Sequence, residues 1–140
     1  MKKIVVIDGQ GGRMGKSIIE QLKKYPAEQE FFVYALGTNS AATQAMMKGG
    51  ADFGATGENP IIVNSKDADM IIGPIGILIA NALLGEITPA MAVAVGSSAA
   101  YKILVPVNRC NHYIVGCQNN TLSDYINMVC DEVGKEVKSI

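Results

Sequence analysis

Ten consecutive residues, Asp8, Gly9, Gln10, Gly11, Gly12, Arg13, Met14, Gly15, Lys16 and Ser17, bring together four glycines, two cations and a hydroxyl. Such a run can receive an anion: glycines let bare backbone come close, and a helix starting there aims its first amides at the guest. Spaced as a dinucleotide loop, Gly9 makes the sharp turn, Gly11 and Gly12 bring backbone to a pyrophosphate, and Gly15 lets the helix pack on the preceding strand. Gln10, Arg13 and Met14 complete the loop, and Arg13 can add charge. A phosphate loop of the GxxxxGK[ST] kind competes for the same residues, with Lys16 on the outer phosphates and Ser17 on magnesium. Its register is off, since five residues separate Gly9 from Gly15 where that motif has four. A third reading keeps the glycines as a tight turn that binds nothing.

The next strand end reads Gly37, Thr38, Asn39, Ser40. NAD binders place an acid there for the ribose hydroxyls. Its absence leans toward NADP, with the 2′-phosphate held by Thr38, Asn39, Ser40 and the amides of the helix that follows; NAD and ATP stay open. Equally, Asn39 or Ser40 could simply cap that helix. Gly73 and Pro74 fall where a nicotinamide ring would pass. Glu58 is a candidate general acid or base, or else a glutamate suited to a first helical turn. Arg109 could clamp a carboxylate or phosphate through two parallel bonds, and His112 could pair with Cys110. Cys110, His112 and Cys117 do not make a common zinc spacing and lack a fourth ligand, so no metal is expected. Cys117 and Cys130 read as small core residues.

These residues need elements to hold them, and the periodicity alternates strand with helix. Residues 4–8 form an apolar strand suited to a parallel sheet, and residues 12–25 a helix with Met14, Ile18, Ile19 and Leu22 on one stripe. Residues 31–36 give a second strand and 40–48 a short helix. A weaker strand follows near 52–55, then a turn or two of helix with Asn59 as cap and Pro60 first. Residues 70–73 read as a strand ended by Gly73, Pro74 and Gly76, and 77–84 as a helix. Thr88 and Pro89 open another helix to about Ser97. Residues 102–107 and 112–117 read as two further strands. Thr121 with Asp124 then starts a long helix striped by Leu122, Tyr125, Ile126, Val129, Val133 and Val137. The expected architecture is α/β: one Rossmann-like domain over residues 1–140 with a doubly wound, mostly parallel sheet.

Composition sets the outer limits. Twelve Lys and Arg against thirteen Asp and Glu leave a net charge of −1 with no basic block, which disfavours a nucleic acid as partner. The apolar run over residues 70–85 is broken by Gly73, Pro74, Gly76 and Asn81 and is shorter than the roughly 20 residues of a membrane span. Three cysteines without CxxC spacing suit a reducing compartment, so the expected location is the cytoplasm. The apolar helices between residues 77 and 96 are a candidate surface for a homodimer or higher homo-oligomer.

The GxGGRMGK run in residues 7–16 resembles the cofactor loop of dihydrodipicolinate reductase, which implies a nicotinamide dinucleotide with its phosphates at the glycines and the arginine. That likeness covers roughly the first thirty residues. The chain lacks a histidine-rich catalytic segment and room for a second, substrate-binding domain, so the reductase activity is not carried over. Over nearly its full length it resembles a group of short bacterial proteins of unknown function, which implies a Rossmann-like fold and no assigned activity. Three readings follow: a nucleotide-binding module, most simply for NADP; a small NADP-dependent oxidoreductase completed by oligomerisation; and an ATP-binding phosphotransferase using Lys16 and Ser17.

Overall fold

In a computed structural model, residues 1–24, 31–107 and 111–139 are described. The chain alternates β1 (Lys2–Asp8), α1 (Arg13–Leu22), β2 (Phe31–Gly37), α2 (Ser40–Lys48), β3 (Phe53–Thr56), α3 (Glu58–Ser65), β4 (Met70–Pro74), a 3-10 turn (Ile75–Leu78), α4 (Pro89–Ser97), β5 (Tyr101–Val105) and α5 (Leu122–Ser139). The five strands form one sheet in the order β3-β2-β1-β4-β5, and every pairing is parallel. This is the doubly wound α/β domain that the alternation implies. Chain order reverses direction across the sheet between β1 and β4, and the crevice at their carboxyl ends is where such sheets take ligands.

Burial on both faces explains the unbroken apolar reading of β1. Ile4 and Val6 enter the core beneath α1 and α5 with Ile18, Ile19, Ile126 and Val133. Val5 and Ile7 enter the opposite core with Ile61, Ile77, Met91 and Val95. Successive strand residues point to opposite faces, so both sets must be apolar when helices cover both.

Glycines set how closely the layers meet at the first loop. Gly12 caps α1 in the left-handed region, with φ 71°. A Cβ there would lie 2.7 Å from Ala42 Cα in α2. A Cβ on Gly15 would lie 2.5 Å from Met46 Sδ and 3.0 Å from Asp8 Cβ. The start of α1 therefore sits directly on α2 and on the end of β1.

Several expectations are corrected. Residues 112–117 form turns and coil, not a sixth strand. Ile114 is half-buried while Tyr113 and Val115 are 83% and 87% exposed, so the run buries too little to pay for sheet pairing. Residues 77–84 do not form a helix beyond the short 3-10 turn. Ile77, Leu83 and Ile87 all reach the core from this irregular segment. Asn81, Leu83 and Leu84 instead take φ of 66°, 57° and 56°. Helix α3 begins at Glu58 after Gly57, so Asn59 is not its cap and Pro60 stands inside the first turn, where a missing amide costs little. Strand β4 continues through Gly73 and Pro74, which pair with Leu104 and Val105.

Candidate functional site

The turn after β1 closes with the Gly12 amide donating to the Gly9 carbonyl at 2.9 Å, and Gln10 takes φ 50°. Asp8, only 7% exposed, holds it from below. Its Oδ1 accepts from the Gly9 amide and its Oδ2 from the Gly15 amide, each at 2.8 Å. Burial pushes the Asp8 carboxyl above its ordinary range, the two amides pull it back, and nearby Glu86 pushes it further up.

Five of the loop's amides are already satisfied within the protein. Gly9 and Gly15 are taken by Asp8, Gln10 by Glu86, Gly12 by Gly9, and Lys16 by Gly12. The amides of Gly11, Arg13 and Met14 have no partner among the described residues. They belong to the loop and first helical positions, where intrahelical bonds are impossible. All three residues line a cleft of about 520 Å³, whose other walls are Asp8, Gly9, Gln10, Gly12, Val107 and Leu122. Arg13 is exposed at the edge of that cleft and its guanidinium enters no ion pair among the described residues. Unpaired amides at a helix start beside a guanidinium can receive a phosphate.

The glycines divide their work differently from the sequence reading. A Cβ on Gly11 would meet nothing nearer than Arg13 Cγ at 3.8 Å, so its backbone is open. Gly12, expected to give backbone to a pyrophosphate, lines the cleft, and the side where a Cβ would stand is packed against α2. Gly9 is covered as well: its missing Cβ would lie 2.8 Å from Thr38 Oγ1, 2.9 Å from Leu83 Cδ1 and 3.0 Å from Glu86 Oε1.

Glu86 is the residue that sequence reasoning missed. Its Oε1 accepts from Thr38 Oγ1 at 2.5 Å, Asn39 Nδ2 at 2.8 Å and the Gln10 amide at 2.9 Å. Burial works to raise the Glu86 carboxyl, but the bonds from Thr38, Gln10 and Asn39 outweigh it and hold it below its usual value. Asn39 is fully used. Its Oδ1 caps α2 by accepting from the Ala42 amide at 2.8 Å, and its Nδ2 also donates to the Gln10 carbonyl at 3.0 Å. A signal was available, because Glu86 is the sole charged residue between Asp69 and Lys102.

The remaining candidates lie elsewhere. Ser40 begins α2 and is exposed. Gly73 and Pro74 are buried within the sheet and do not line the cleft. Glu58 is exposed in the first turn of α3, also away from the cleft walls. Lys16 and Ser17 are not among those walls; Lys16 runs beside Gly49, and Ser17 faces α5 across a separate groove. Arg109 and Cys110 lie outside the described residues, and His112 is exposed in the turn that follows. Cys117 is half-buried beside the Tyr125 hydroxyl, 3.9 Å away. Cys130 packs partly against the core, and burial with nearby Asp131 pushes its thiol up to about 11. Among the described residues no three His, Cys, Asp or Glu side chains converge as metal ligands, and no helix is long and apolar enough to cross a membrane.

The chain belongs to the family described as domain of unknown function DUF3842, whose pattern spans residues 3–138. No curated protein matches it. Among solved structures it is similar to a dodecameric FMN-dependent Ubix-like decarboxylase from Escherichia coli O157:H7. That likeness has a TM-score of 0.51 at 18% identity and covers 96% of this chain and 95% of the other. It bears on the fold.

Proposed function

We propose that this member of a family of unknown function binds a phosphate-bearing nucleotide in the cleft beside residues 9–14, with the phosphate on the amides of Gly11, Arg13 and Met14 and on the Arg13 guanidinium. The observation that carries the reading is that Gly11, Arg13 and Met14, whose amides have no partner among the described residues, line the cleft with the Arg13 guanidinium, which enters no ion pair among them. Val107 and Leu122 offer apolar walls for the rest of the ligand. The cleft lies within the roughly 300–1,000 Å³ usual for small-molecule sites.

FMN is the first ligand to try, because the similar decarboxylase is FMN-dependent. NADP, the lean from sequence, is less well served. Thr38 and Asn39, the donors meant for its 2′-phosphate, already serve the Glu86 carboxylate, and a phosphate there would meet like charge. The phosphotransferase reading is weakened by the placement of Lys16 and Ser17 outside the cleft. For catalysis the cleft offers, among the described residues, one carboxyl, Asp8, which is committed to holding the loop.

The proposal includes assembly with further copies. Helix α4 is apolar around its circumference, yet Val93 is 65% exposed beside a groove of about 740 Å³ shared with α3. A helix with no polar face belongs against another surface, and a groove and ridge on one patch suit a two-fold contact.

Calorimetric titration with FMN, NADP, NAD and ATP tests the binding reading. At least one should bind, and Arg13→Gln should weaken it by about tenfold or more, the loss of a charge-assisted phosphate contact. Binding by none of them, or equal binding by the Arg13 variant, overturns the proposal.

A further inference from the structure

The segment 79–87 lies where a dinucleotide would continue past the first loop. In a doubly wound sheet the ribose next to the pyrophosphate sits at the carboxyl end of β2. Here that place, beside Gly9, Thr38 and Asn39, holds Leu83 and Glu86. Their atoms come within about 3 Å of where a Cβ on Gly9 would stand, so no ribose can pass without moving them.

The segment is built to stay. It closes on itself through bonds from the Asn81 amide to the Ile87 carbonyl at 2.7 Å, Gly85 to Asn81 at 3.1 Å and Ile87 to Ala82 at 3.1 Å. Leu83 and Ile87 are 6% and 1% exposed in the core. Glu86 latches it to both neighbouring loops by its three accepted bonds. Keeping this shape means holding Asn81, Leu83 and Leu84 at positive φ, a conformation that L-residues adopt only when their surroundings impose it.

We infer that residues 79–87 permanently occupy the subsite of a second nucleotide, and that Glu86 is the specificity residue restricting the cleft to a mononucleotide. Dinucleotides are turned away by the bulk of Leu83, and those with a 2′-phosphate also by the Glu86 charge. This inference rests on the binding reading above.

The test measures dissociation constants of the full chain for FMN, NAD and NADP, in the wild type, in Glu86→Ala and in Glu86→Gln. The wild type should prefer FMN over NADP by at least about tenfold. Glu86→Ala should narrow that preference by about tenfold. Glu86→Gln keeps the bulk and removes the charge, so it should improve NADP more than NAD; it also carries the test should the alanine variant fail to fold. In either variant amide hydrogen exchange at Asn81, Gly85 and Ile87 should quicken selectively. FMN binding with an unchanged FMN-to-dinucleotide ratio in both variants overturns the inference alone. Failure of every protein to bind any nucleotide overturns the binding reading and this inference with it.

Discussion

Gly11 and Gly12 are neighbours with opposite duties. Gly11 has open space where a Cβ would go, whereas Gly12 combines φ 71° with a 2.7 Å approach to Ala42. Gly12→Ala should therefore cost about 2 kcal/mol or more in urea unfolding, from overpacking and backbone strain. Gly11→Ala should stay within about 0.5 kcal/mol, so that any loss of nucleotide affinity it causes reports on the ligand. Asp8 supplies a pH test. Its carboxyl titrates above its ordinary value when folded, chiefly through burial. A raised folded pKa gives stability that is present below the unfolded value and lost as pH rises through the folded one. Asp8→Asn cannot titrate, and it leaves one of the two loop amides without an acceptor, which should cost about 1–3 kcal/mol. The stability advantage of the wild type over Asp8→Asn should shrink as pH climbs from the ordinary carboxylate range upward. An advantage that grows over that range contradicts the assignment.

Among the elements, helix starts show how side chains of one sequence stretch do different amounts of work. Thr88 caps α4 by accepting from the Met91 amide at 3.1 Å, and Thr88→Ala should cost about 1 kcal/mol. Asn39→Ala removes a cap of the same kind together with the bonds to Glu86 and the Gln10 carbonyl, so its cost should be larger. A double-mutant cycle with Glu86→Ala should show coupling above about 0.5 kcal/mol; additive costs would mean that Glu86 and Asn39 do not act together. The same contrast explains what could be read from sequence. Asn39, Thr88 with Pro89, and Thr121 with Asp124 announce helix starts through contacts three residues long, and β1 announces its double burial through four apolar residues in a row. The glycine-rich loop after β1 is legible for that reason, being contiguous. Glu86 is not, because it meets Thr38 and Asn39 across 48 and 47 residues of chain. The turns at residues 79–87 hide equally well: leucines at positive φ follow from the packing of Leu83 and Ile87, and no local pattern signals it. Residues 112–117 misled by β-branched and aromatic content that here lies mostly outside the core.

At the scale of the whole molecule, the surface proposed for association is the outer face of α3 and α4. Val93→Asp puts a charge in the centre of that apolar surface, and sedimentation should show a shift from the assembled form toward monomer; an unchanged sedimentation coefficient would place the interface elsewhere. The sheet order has a consequence of its own for how the chain is made. Strand β1 is central, yet its two neighbours, β2 and β4, are supplied at very different times during synthesis. When the ribosome has delivered residues up to 66, β3, β2 and β1 can pair, and β1 shows a bare apolar edge of unmet amides and carbonyls until Met70, Ile71 and Ile72 arrive to pair with Ile4, Val5 and Val6. Such an edge can recruit another strand of the same kind. Chains stopped before residue 70 therefore leave one edge of β1 open to pairing with another strand, and completing β4 covers it.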